Sequence, residues 1–121
     1  MEEHHAPTEA PTAERLVDHA WMVDCALLLH HRDSAAEAAE RLFDELVLHD
    51  RAFEWTRRYL DPGTADALAT TALSLRAGVR LLAEELRGGT TWPRPVLRSR
   101  MEELISAEAA AVGDCACAYV D

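Results

Sequence analysis

Apolar residues recur along this chain at helical spacing in four stretches, each bounded by residues that start or stop a helix. In the first, Leu16, Ala20, Val23 and Leu27 keep a 4-3-4 spacing, widened by Val17, Trp21 and Leu28. Thr12 is its expected N-cap and the helix is expected to reach about His31. Ser34-Ala35-Ala36-Glu37 has the form of a capping box, which places the break between two helices at Asp33 and Ser34. The second stretch, Ala35, Ala39, Leu42, Leu46, His49, Phe53, Thr56 and Leu60, carries the most regular seam. Asp61-Pro62-Gly63-Thr64 then ends one helix and begins the next, with Asp61 or Thr64 as cap.

The third seam is apolar throughout: Leu68, Ala72, Leu75, Val79, Leu82 and Leu86, closed by Gly88-Gly89 in the manner of a C-cap glycine. Thr90 to Pro95 reads as a loop around Trp92. The fourth helix is expected from about Val96 to Val112, stopping at Gly113, with Leu97, Met101, Leu104, Ile105 and Val112 inward. The expected fold is therefore all-α, an antiparallel up-down-up-down four-helix bundle over residues 12–113. Residues 1–11, with Pro7 and Pro11, read as a disordered lead, and residues 114–121 as a short tail.

Composition agrees with helix. Of 121 residues, 49% are hydrophobic, mostly Ala and Leu, and 6% are aromatic. A chain of this length holds a core without disulfides or metal. Lys, Asn and Gln are absent, the bias of a GC-rich bacterial coding sequence, and all basic side chains are Arg. The formal net charge of −10 disfavours nucleic acid. Arg57 with Arg58, or Arg94, Arg98 and Arg100, make the only local basic clusters, read as solvated helix faces. No stretch is apolar and long enough to span a membrane, and three cysteines without a secretory leader point to a reducing cytoplasm.

Chemistry is expected where the seams are polar: Asp24, His49 and Glu108, with Glu45 one turn before His49. One reading joins these into an interior carboxylate–histidine metal site, with His19 or His30 as further donors. The stretch Leu42 to His49 resembles one helix of hemerythrin-type domains, which implies a metal-binding bundle. That family carries a glutamate four residues after the histidine and paired histidines later; here Phe53 stands at that place and no histidine follows His49. The Glu-x-x-His pattern of ferritin-like di-metal bundles is absent too. The structural reading has Asp24 and His49 pair with each other or with an Arg and set helix register.

His4-His5, His30-His31 and Cys115-x-Cys117 lack neighbours to complete a site, and no nucleophile triad, phosphate loop or zinc pattern occurs. The chain therefore reads as a non-catalytic interaction module with no cofactor. From Ala20 to Leu29 the apolar residues occupy every face of the first helix, so a monomer leaves one side uncovered. Covering Met22, Cys25, Ala26 and Leu29 with a second copy predicts a homodimer or an obligate protein partner, and Trp92 in its Pro-flanked loop is expected to be exposed to a partner. Small-molecule binding in the core, near Asp24 and His49, is the remaining alternative.

Overall fold

A computed structural model describes residues 10–120, with side chains to residue 113. It has four helices: α1 (Ala13–Leu28), α2 (Arg32–Arg57), α3 (Pro62–Gly88) and α4 (Leu97–Val120). The expected lead over residues 1–11 lies outside the described residues except at Ala10 and Pro11. No strand occurs among the described residues. Each helix packs on the next, and α4 returns to α1, closing a ring with α1 and α3 on opposite corners. Glu40 meets Arg87 and Asp50 meets Arg76, so α2 and α3 run antiparallel, as connections this short require.

The core is built from the seams that the spacing singles out, except that Val112, expected to face inward, is exposed on α4. Leu16, Ala20, Val23 and Leu27 of α1 face Ala35, Ala39, Leu42 and Leu46 of α2, Ala72, Leu75, Val79 and Leu86 of α3, and Leu97, Met101 and Leu104 of α4. Removing a fully buried leucine or methionine of this set from water contributes about 1.5–3 kcal/mol. Alanine dominates where α2 enters the core, with Ala35, Ala36 and Ala39 all buried.

Four boundaries differ from expectation: the end of α1, the start of α2, the end of α2 at Arg57 rather than Leu60, and the end of α4. The break between α1 and α2 falls at Leu29–His31, and α2 starts at Arg32 with His31 as its cap residue, so Ser34 sits inside the first turn. Helix α1 ends instead by a double backbone closure: the His30 amide donates to Leu27 O at 3.1 Å and the His31 amide to Ala26 O at 2.9 Å. This closure needs a left-handed residue after the cap, and His30 takes that role at φ 59°. A turn set by backbone geometry leaves no Gly or Asn in the sequence to announce it.

The start of α3 follows expectation. Asp61 caps it, its carboxylate accepting from the Thr64 amide and hydroxyl, both at 2.8 Å. The amide bond first, and the hydroxyl second, hold the Asp61 carboxyl below the usual aspartate range. At the other end of α3, Gly89 is extended and makes the close approach: a Cβ there would lie 2.8 Å from the Glu85 carbonyl oxygen. The fourth helix does not stop at Gly113 but runs to Val120, so the expected tail is helical to that point. An interior glycine costs a helix about 1 kcal/mol, too little to end one by itself.

The left-handed residue gives a direct check. His30→Gly and His30→Ala both lose the ring, but only alanine retains the penalty of positive φ. The glycine variant should be more stable than the alanine variant by about 1 kcal/mol in denaturant unfolding, the reverse of the helix-propensity order. Equal stabilities, or alanine ahead, would exclude this turn geometry.

Candidate functional site

The polar residues on the four seams do not converge; each meets a different partner. Asp24, buried in mid-α1, accepts from the first two amides of α4: Leu97 N at 3.1 Å on Oδ1 and Arg98 N at 3.0 Å on Oδ2. These amides have no acceptor within their own helix, and a carboxylate at a helix N-terminus also meets the positive end of the helix dipole. Asp24 is therefore a cap supplied from 73 residues away.

His49 meets Glu108 instead, Nε2 to Oε1 at 2.8 Å, and stacks beside Phe53 with ring centroids 6.0 Å apart. The expectation that Asp24 and His49 meet is corrected by both contacts. Glu108 Oε2 is buried and has no hydrogen-bond partner among the described residues. Glu45 lies one turn from His49 on α2, yet it turns to α1 rather than α4, accepting from Arg15 at 2.8 Å and pairing with His19 Nδ1. Two acid–histidine pairs thus hold α2, one to its neighbour α1 and the other across the diagonal of the bundle to α4. Among the described residues no three His, Cys, Asp or Glu side chains gather where a metal ion could sit. His30, the other expected donor, stacks on Trp92 at 4.8 Å.

Trp92 is a second correction. The loop places it half-buried rather than free: its indole N–H donates to Leu27 O at 3.2 Å, His30 stacks on its ring, and the Arg32 guanidinium lies 5.0 Å from the ring centroid. Arg32 does more. Its Nη1 donates to Leu86 O at 3.1 Å and reaches Glu85 O and Gly89 O at 3.4 Å. Those are terminal carbonyls of α3, so a cation sits at the negative end of that helix while Asp24 sits at the positive end of the next. Arg32 and Arg15 escaped sequence reasoning, since no local pattern distinguishes them from surface charges, and Glu45 and His19, expected as metal donors, meet each other and Arg15 instead.

On the outside, α1 presents the other candidate. Met22 is 54% exposed, Leu28 57%, Leu29 66% and Trp21 42%, with Cys25 half-buried between them. Spacing of 18, 22, 25 and 29 puts Met22, Cys25 and Leu29 on one line of the helix, with Trp21 and Leu28 alongside. Between Asp18 and Arg32 no exposed residue is an Arg, Asp or Glu. No helix among the described residues is long and apolar enough to cross a membrane. Comparison with protein-family models, curated proteins and solved structures finds no match to this chain.

The capping role of Asp24 is testable against a binding role. Asp24→Ala leaves two amides without an acceptor in a buried setting and should destabilise by about 2–3 kcal/mol. Asp24→Asn keeps one acceptor oxygen and should cost less than alanine. Chemical denaturation checks both; a loss under about 0.5 kcal/mol for alanine, the scale of a neutral surface change, would show that the carboxylate does not hold α4.

Proposed function

We propose that this chain is a non-catalytic, acidic helical interaction module of the bacterial cytoplasm that pairs with a second copy across the outer face of α1. The observation that carries the reading is the contiguous exposed side of that helix: Trp21, Met22, Leu28 and Leu29 around Cys25. Soluble monomers rarely leave adjacent large apolar side chains uncovered, and such patches mark contact surfaces.

Charge favours a second copy as the occupant. A chain at −10 repels itself, so two copies meet most readily where neither presents a charge. The α1 face from Met22 to Leu29 is such a place, with the Arg98 guanidinium drawn over Trp21 at its edge. A two-fold pairing of one helix with itself also needs a single surface patch, which matches itself. The polar interior supports the non-catalytic part: its acids and histidines are spent on helix caps and on cross-links between helices.

Sedimentation velocity and light scattering test this reading. The protein should be a dimer at micromolar concentration. Met22→Glu with Leu29→Glu should weaken the dimer at least tenfold, since each carboxylate would face its own copy inside an apolar contact. Helical content and thermal midpoint should change little, because both side chains are already exposed. A wild-type monomer at micromolar concentration would contradict the reading, as would a dimer indifferent to both substitutions.

A further inference from the structure

Helix α3 stands diagonally across the bundle from α1, and its outer side is equally unusual. Between Asp66 and Arg80 every exposed residue of α3 is uncharged: Ala67, Thr70, Thr71, Leu73, Ser74 and Ala77. Leu73, and Leu81 one turn beyond Ala77, are each more than half exposed. At ~1.5 Å per residue the stretch from Ala67 to Leu81 is about 21 Å long.

Beside this face the bundle is open. α3 and α4 make the thinnest contact of the neighbouring helix pairs, and two clefts of about 360 and 430 Å³ run along their seam, both touching Leu75 and Arg100. Leu75, Leu82 and Leu97 line the first, and Gly78 leaves its wall without a side chain. The nearest atom to a Cβ built at Gly78 is Arg100 Nη1, at 3.9 Å. The first cleft is apolar between Leu75, Leu82 and Leu97 and the second continues it past Thr70, Thr71 and Ser74, so the seam suits an amphipathic helix laid along it.

The rim selects the sign of what lies there. Six of the twelve arginines have a carboxylate partner among the described residues: Arg15, Arg57, Arg76, Arg80, Arg87 and Arg98. Arg94 and Arg100, at the edge of the first cleft, pair with no carboxylate among the described residues. The net charge does not cancel them, because at physiological salt interactions between exposed charges fade beyond about 8 Å. At the far end Glu103 marks the one acidic position of the trough.

We infer that the α3–α4 trough seats an amphipathic helix of a partner protein whose apolar ridge is flanked by carboxylates at the Arg94–Arg100 end. The partner's apolar side chains fill the gap over Gly78 between Leu75, Leu82 and Leu97, and its acids meet the Arg94 and Arg100 guanidinium groups at the edge. This surface is separate from α1, so the module is two-sided: one copy on α1, a different acidic helix on α3.

The test uses the full chain and a labelled synthetic peptide of about 18 residues, leucines at helical i, i+4, i+7 spacing with glutamates beside them, and the same peptide with lysine for glutamate. Fluorescence anisotropy should show saturable binding of the glutamate peptide with a Kd of about 10–100 µM and at least tenfold weaker binding of the lysine peptide. Arg100→Glu should weaken the glutamate peptide at least tenfold. Gly78→Leu, which fills the trough while favouring helix, should do the same without lowering the thermal midpoint. The Met22→Glu, Leu29→Glu variant should bind as wild type, which separates this surface from the α1 pairing. Absence of saturable binding, equal affinity for the lysine peptide, or indifference to both Arg100→Glu and Gly78→Leu would overturn the inference. Binding of decanoate at this site without binding of the glutamate peptide would also overturn it, in favour of a small amphiphile.

Discussion

A helix inside a bundle must find partners for the amides at its start and the carbonyls at its end, and this protein finds two of those partners in other helices. Asp24 of α1 closes the start of α4, and Arg32 of α2 closes the end of α3. A buried carboxylate without a partner costs several kcal/mol. Two backbone hydrogen bonds and the helix dipole offset that cost here. The same interactions fix where the loop from Gly89 to Val96 begins and ends, and Trp92 pins its middle to the end of α1. One end of the bundle is thereby tied together by polar groups that each satisfy backbone from a different element.

The seam acids and histidines lower on the bundle follow the same logic. Glu45 and His49 are successive turns of α2, and they reach different helices, the neighbouring α1 and the diagonal α4. Such pairs constrain helix placement, because a bundle with α1 and α4 exchanged would put α4 beside Glu45 and move Glu108 away from the diagonal position opposite His49. This is a specificity role. It contributes little net stability, and it leaves Glu108 Oε2 as a buried oxygen still lacking a donor among the described residues.

Periodicity made the helices and their inward faces legible. Leu16, Leu42, Val79 and Met101 are buried as the spacing requires, and Asp61 is the cap that its place before Pro62 suggests. Local signals failed where a tertiary contact or a backbone turn overrode them. Ser34 has the form of a cap, yet the chain turns at His30, and Gly113 looks like a stop inside a helix that continues to Val120. Asp24 stood out as a polar residue among apolar ones, but its partners lie 73 and 74 residues on, and nothing in the local pattern points to them. Trp92 was misread for the same reason: a tryptophan between prolines looks exposed until Leu27, His30 and Arg32 are placed around it. The exposed side of α1 was legible because Met22 and Leu29 fall off the seam that Leu16, Val23 and Leu27 define.

Hydrogen exchange at the first amides of α4 is the most direct probe of the tertiary cap. Amides at the start of a helix ordinarily exchange fast, having no acceptor in their own helix. With Asp24 in place, Leu97 and Arg98 should exchange as slowly as the buried interior of α4 around Met101 and Leu104. Exchange of those two amides at the rate of an unprotected helix start would contradict the account at its centre.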